Sequence, residues 1–222
     1  MRSDDLIAFV DESLKPVRGG VSRDAARPPS IYAVAAVVVL AAEADGLRAA
    51  LNPLSSSRGG KVHYSALSGA ARLEAVVLLS RQVTWDALVV ETDRAVSVRN
   101  DRTLRRAVLW QAFATLQRDH GVVRVIAESR SHPSGAFGRL DHDDVLLARA
   151  ARQVGLVSAP FAVSHAREEE TLLTAADVIV GARTDAVCGV DRTRWSLLAH
   201  RVSVHRVAPQ WRDPRNAEAP GR

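Results

Sequence analysis

The sequence predicts an α/β fold: one domain built on a sheet of about five strands flanked by helices. Three observations predict it. Short runs rich in Val, Ile and Ala, the composition of buried strands, recur along the chain. Stretches with the period of amphipathic helices fall between them. In the second half the two alternate one for one, an order that gives parallel strands covered by helices. With 222 residues, 47% of them hydrophobic and 25% charged, the chain is long enough for one sizeable core.

Leu6 to Val10 is the first strand, an apolar run that leads into Asp11, Glu12 and Ser13. Leu14 to Ser30, with its prolines and glycines, reads as a loop. Ile31 to Ala41 is a second, β-branched strand, and Glu43 to Leu51 a short helix stopped by Asn52-Pro53. Ser55 to Gly60 is a Ser/Gly turn, and Ser68 caps a helix to Arg81. Thr84 to Val90 is a third strand, followed by acids at Glu91 and Asp93. Asn100 or Asp101 caps a long helix that Gly121 stops after His120. Val122 to Ala127 is the fourth strand and ends at Glu128. Ser129 to Gly138 is a loop, Asp141 caps a helix to Val154, and Pro160 to Val163 is a short fifth strand. Glu168 opens the last core helix, which runs to about Arg183. From about residue 184 the chain reads as an appendage, with Trp195, Leu197 and Leu198 set among Arg and His up to Val207. The domain spans residues 1–208, and 209–222 has the composition of a flexible tail.

Composition narrows the function classes. A net charge of +5 and a pI of about 10.3 favour an anionic partner, nucleic acid first. Only Lys15 and Lys61 are lysines among the 30 basic residues, so the basicity is nearly all arginine. The lone Cys188 excludes an internal disulfide and a cysteine zinc site. No secretory signal is visible, and the longest apolar run, Ile31 to Ala42, falls short of the ~20 residues of a membrane span. Together these predict a cytoplasmic chain. Ser55 to Lys61 is not a P-loop, because Ser55 replaces its first glycine and Val62 follows the lysine. No G-x-S-x-G occurs, and Ser13, Ser129 and His132 make no nucleophile triad.

Carboxylates carry the chemistry. Asp11 ends the first strand and Glu128 the fourth, at the sheet edge where α/β folds place their sites. Asp177 lies inside Leu172-Leu-Thr-Ala-Ala-Asp-Val-Ile-Val180, a helix apolar almost all round and therefore buried. A carboxylate there has to be met by a proton, an arginine such as Arg183, or a metal. Asp11-Glu12 alone reads more readily as a solvated strand end. Taken together, three acids at one edge suit Mg2+ or Mn2+, which favour oxygen ligands.

The order of these motifs resembles a bacterial family of unknown function with a ribonuclease H-like fold. Asp-Glu-Ser at residues 11–13, Lys61-Val-His63, the strand ending at Glu128, Ser164, and the helix around Ala176-Asp177 carry the likeness, over about residues 5 to 183. The resemblance implies a ribonuclease H-like mixed sheet and matches Asp11, Glu128 and Asp177 to the acidic triad of such nucleases. Leu14 stands where the family often has Gly, and Thr174 where a Gln often precedes Ala-Asp. The expectation is a metal-dependent nuclease whose catalytic and metal-binding residues are Asp11, Glu128 and Asp177, with Glu12 as a further ligand. Lys61, His63, Arg102 and Arg105 are expected to contact nucleic acid. Arg99 and Arg106 extend that arginine cluster, which reads more readily as a solvated basic face; Asp93 and Asp144 are candidate outer acids, and capping at an Asp-rich helix start also accounts for Asp144. The rival expectation is a non-catalytic nucleic-acid- or protein-binding module with structural acids.

Overall fold

The computed structural model describes residues 5–15, 31–54, 61–93, 101–130, 138–167 and 169–207. Strand β1 (Leu6–Lys15) pairs antiparallel with β2 (Ile31–Leu40), and β2 pairs antiparallel with β3 (Trp85–Asp93). On its other side β1 pairs in parallel with β4 (Arg124–Glu128), and β4 with β5 (Ala162–Ala166). A sixth strand, β6 (Val202–Arg206), adds in parallel to β3, giving the order β5-β4-β1-β2-β3-β6. Only β2 runs against the others. The α/β mixed sheet expected from the sequence is thus present, with one strand more.

Two helical layers cover it. Helices α1 (Ala44–Leu51), α2 (Gly69–Ser80), α5 (Leu172–Val187) and α6 (Thr193–Leu198) lie on one face. Helices α3 (Asp101–His120) and α4 (Gly138–Gln153) lie on the other. Strand parity divides the core between them. Ile7 and Phe9 of β1 enter the α5 layer, and Ala8 and Val10 the α3/α4 layer. All of β2 except Leu40 is buried, as its continuous apolar run demands for a strand covered on both faces. Each buried Val there contributes about 1.5–3 kcal/mol relative to exposure. Ser68 caps α2 as predicted, accepting the Ala71 N–H at 3.3 Å. Gly121 follows α3 with φ 68°, the left-handed conformation that terminates helices.

Several boundaries differ from expectation. Strand β1 does not stop before Asp11. It continues to Lys15, with Asp11 opposite Ala35 and Glu12 opposite Val34, because the long β2 offers it a partner throughout. Helix α5 starts at Leu172 rather than Glu168 and runs to Val187. The Glu170 carboxylate accepts the Leu172 N–H at 3.1 Å and pairs with Arg48, so it serves the helix start. Helix α4 begins before Asp141, and that side chain turns to Ser129 Oγ and the Arg130 N–H. The segment read as an appendage supplies α6 and the edge strand β6. The expected loop over residues 16–30, the turn at Ser55–Gly60, Arg99, His132 and the tail lie outside the described residues. No helix among the described residues is long and apolar enough to cross a membrane.

Candidate functional site

Strand parity also sorts the acids. Asp11 follows Ile7 and Phe9 toward the α5 layer, while Glu12 follows Val10 to the opposite face. On β4, Phe9 lies beside Ile126 and Val10 beside Ala127, so the next step brings Glu128 alongside Asp11. Ile126 and Glu128 share the α5 side. Asp177 arrives from α5, which packs across β1 and β2.

The three acids meet around the ammonium of Lys61. Its Nζ lies 2.6 Å from Asp11 Oδ2, 2.9 Å from Glu128 Oε1 and 4.0 Å from Asp177 Oδ2. The lysine side chain is 1% exposed. Backbone groups hold the acids in place: the Glu12 N–H donates to Asp11 Oδ1 at 2.8 Å, and the Tyr64 N–H to Asp177 Oδ2 at 2.8 Å. Asp177 is 14% exposed, the one acid of an otherwise buried helix face to reach the cleft.

Burial pushes the Asp11 carboxyl up to about 8, opposed by Lys61 and assisted by Asp177 and Glu128. Burial works on Glu128 in the same direction, but Lys61 and Arg130 outweigh it and hold Glu128 below its ordinary value. Burial also disfavours the Lys61 ammonium, yet Asp11, Asp177 and Glu128 raise its pKa overall, so it stays charged. Removing one partner from such a buried cluster costs on the order of 3–5 kcal/mol.

The remaining predicted residues divide. His63 is half exposed, with Nδ1 3.8 Å from Asp177 Oδ2, at the rim of the cluster. Glu12, expected as a further ligand, faces the other way and hydrogen-bonds Tyr32 and Arg105. Arg105, expected to contact phosphate, is buried, and its guanidinium is engaged by Glu12 and Asp144. That ion pair also accounts for Asp144, which His165 Nε2 approaches at 3.1 Å. Arg102 remains 51% exposed and pairs with Asp143. Arg183 does not meet Asp177; it binds Glu91 through two hydrogen bonds of 2.8 and 2.7 Å. Thr174, at the expected Gln position, accepts the Val62 N–H through Oγ1 at 3.4 Å.

Two contributors, Arg130 and Tyr64, are absent from the sequence reading, and Lys61 takes a different place from the one expected. Arg130 Nη2 lies 2.8 Å from Glu12, 3.6 Å from Glu128 and 3.8 Å from Asp11, so it links the two faces at the end of β4. With Arg105 it lines a narrow cleft over Asp11 and Glu128. Tyr64 positions Asp177 through its backbone and meets the buried Asp185 through its hydroxyl at 3.1 Å. Lys61 was placed at the substrate rather than at the centre of the acids. Its rarity was the available signal: a lysine kept in so arginine-rich a chain.

Among the described residues no group of three His, Cys, Asp or Glu side chains stands in metal-holding geometry; a lysine takes the central place. The donor chemistry nonetheless fits Mg2+ or Mn2+, since the convergent groups are carboxylate oxygens and they already enclose one cation.

No protein-family model and no curated protein matches the chain. Among solved structures it is similar to one described as the PCNA:RNase HII complex from Archaeoglobus fulgidus, at 16% sequence identity and a TM-score of 0.48, over 83% of this chain and 75% of that one. The fold class is α/β, a mixed sheet flanked by helices on both faces.

Proposed function

We propose that the chain is a metal-dependent nuclease that hydrolyses phosphodiesters in nucleic acid. One observation carries the reading: three carboxylates from three separate elements, Asp11 of β1, Glu128 of β4 and Asp177 of α5, enclose a single cation position. Asp11, Glu128 and Asp177 would hold Mg2+ or Mn2+. When bound, such ions activate water and stabilise the leaving oxygen in phosphodiester cleavage. Around them the chain's own groups orient and neutralise. Arg130 balances charge at the end of β4, and His63 at the rim reaches a phosphate or a proton from solvent. The net charge of +5 and exposed arginines such as Arg102 favour a polyanionic partner.

Purified protein is incubated with single- and double-stranded DNA, RNA and a DNA–RNA hybrid, each with Mg2+ or Mn2+. Cleavage that disappears in Asp11→Asn and Asp177→Asn is the expected result. Failure of the wild-type chain to cut any of the four with either metal overturns the proposal. Binding without cleavage, with no Mn2+ uptake, would favour the binding-module reading, in which Lys61 is the permanent partner of the acids.

A further inference from the structure

Resting on that metal-site reading, we infer that Lys61 is a displaceable counter-cation: its ammonium leaves the cleft as a divalent ion enters, so that ion binding and lysine release are one exchange. The geometry leaves no room for both. Nζ lies 2.6 and 2.9 Å from Asp11 Oδ2 and Glu128 Oε1, and an ion held by those oxygens would stand against the ammonium. Like charges at that separation repel strongly in a buried setting. Without either cation the buried acids would face one another unless they took up protons. Arg130 does not replace Lys61, because its Nη2 sits closer to Glu12, at 2.8 Å, than to Glu128 or Asp11.

The exchange needs only a side chain to move. The backbone on either side of His63 is held, by the Val62 N–H on Thr174 Oγ1 and by the Tyr64 N–H on Asp177. The lysine stem is a flexible four-carbon chain ending in a point charge. An arginine would grip the carboxylates with a planar fork and be harder to expel. That difference explains a lysine here in a chain whose other basic residues are almost all arginine.

Lys15 and Lys61 are the only lysines, which makes amine labelling a direct readout. Full-length protein stripped with EDTA is acetylated with and without saturating Mn2+, and the two lysines are followed by peptide mass spectrometry. Lys61 acetylation is expected to rise about tenfold or more with Mn2+, normalised to the same sample without metal. Calorimetry is expected to show Lys61→Met binding Mn2+ about tenfold or more tightly than wild type, with a larger Mn2+-induced rise in Tm. If wild type binds Mn2+ while Lys61 stays protected, and Lys61→Met binds no tighter, the exchange is overturned and the metal site stands. If neither protein binds Mn2+, the metal-site reading itself falls, and the exchange with it. Should Lys61→Met not fold without metal, the labelling of wild type alone decides.

Discussion

The ring of Tyr64 packs where a side chain on Gly181 would stand: a Cβ added to Gly181 would lie 2.7 Å from Tyr64 Cγ and 2.8 Å from Cε1. This contact fixes Tyr64, which in turn holds Asp177 through its N–H and Asp185 through its hydroxyl.

Gly181→Ala is therefore expected to destabilise the fold. Alanine in a helix interior gains about 0.5–1 kcal/mol over glycine, but overpacking costs about 1–3 kcal/mol, and the clash is with a buried ring. Urea denaturation should show a net loss. A more stable Gly181→Ala protein would mean that the ring moves aside freely.

Asp185 is fully buried and meets Arg194 Nη1 at 3.1 Å, Tyr64 Oη at 3.1 Å and Arg72 Nη1 at 3.5 Å. Asp185→Ala should cost about 3 kcal/mol, because it removes the buried partner of Arg194 Nη1 and the Tyr64 hydroxyl, leaving Arg194 with Asp191 alone among the acids. Asp185→Leu combined with Arg194→Met should recover much of that loss in chemical denaturation. A double variant no more stable than Asp185→Ala would show that the ion pair is not the source of the effect.

Glu91 carries the pH dependence outside the acidic cleft. Burial alone would raise its pKa, but the Arg183 and Arg206 guanidiniums hold it below its ordinary 4.5. The unfolded chain therefore takes the proton first as pH falls. Glu91 contributes stability above about pH 4.5, and that contribution is lost as pH falls through the folded value. Stability curves of wild type and Glu91→Gln should lie apart near neutral pH and converge in acid. Curves that stay parallel would remove Glu91 from the acid response.

Arg105 and Arg102, paired in the sequence reading, should behave differently. Arg105→Lys loses the forked contact with Asp144 and should cost about 3 kcal/mol of stability. Among variants still folded, nucleic-acid affinity should be unchanged. Arg102→Ala removes a half-exposed pair, worth about 1 kcal/mol or less. It should instead weaken nucleic-acid binding and lower its salt slope by about one. Fluorescence anisotropy at several salt concentrations, alongside thermal melts, checks both.

Strands β1 to β4 were legible because each contains an apolar run, and the acids Asp11, Glu128 and Asp177 because charge interrupts or ends such runs. Less legible was how far β1 continues. Asp11 and Glu12 look like a strand's end, yet a strand can keep polar residues when each face supplies a cation, here Lys61 on one and Arg105 on the other. Strand β6 was hidden by its Arg and His residues, which an edge strand leaves in solvent. The partner of each arginine could not be read at all. Arg183 chooses Glu91 and Arg105 chooses Asp144 through tertiary packing, across 92 and 39 residues of chain.

In the helix that carries Asp177, Ala175, Ala176 and Ala182 are buried in the core that α5 shares with β1 and β2. Asp11 and Glu128 sit on neighbouring strands of fixed register, so their mutual spacing belongs to the ladder. The distance from them to Asp177 is a different kind of quantity: it is set by how thick the core between α5 and the sheet is. Methylenes added at Ala175, Ala176 or Ala182 would thicken that core and shift the third acid, so the calibre of the site depends on small apolar side chains as well as on its charges.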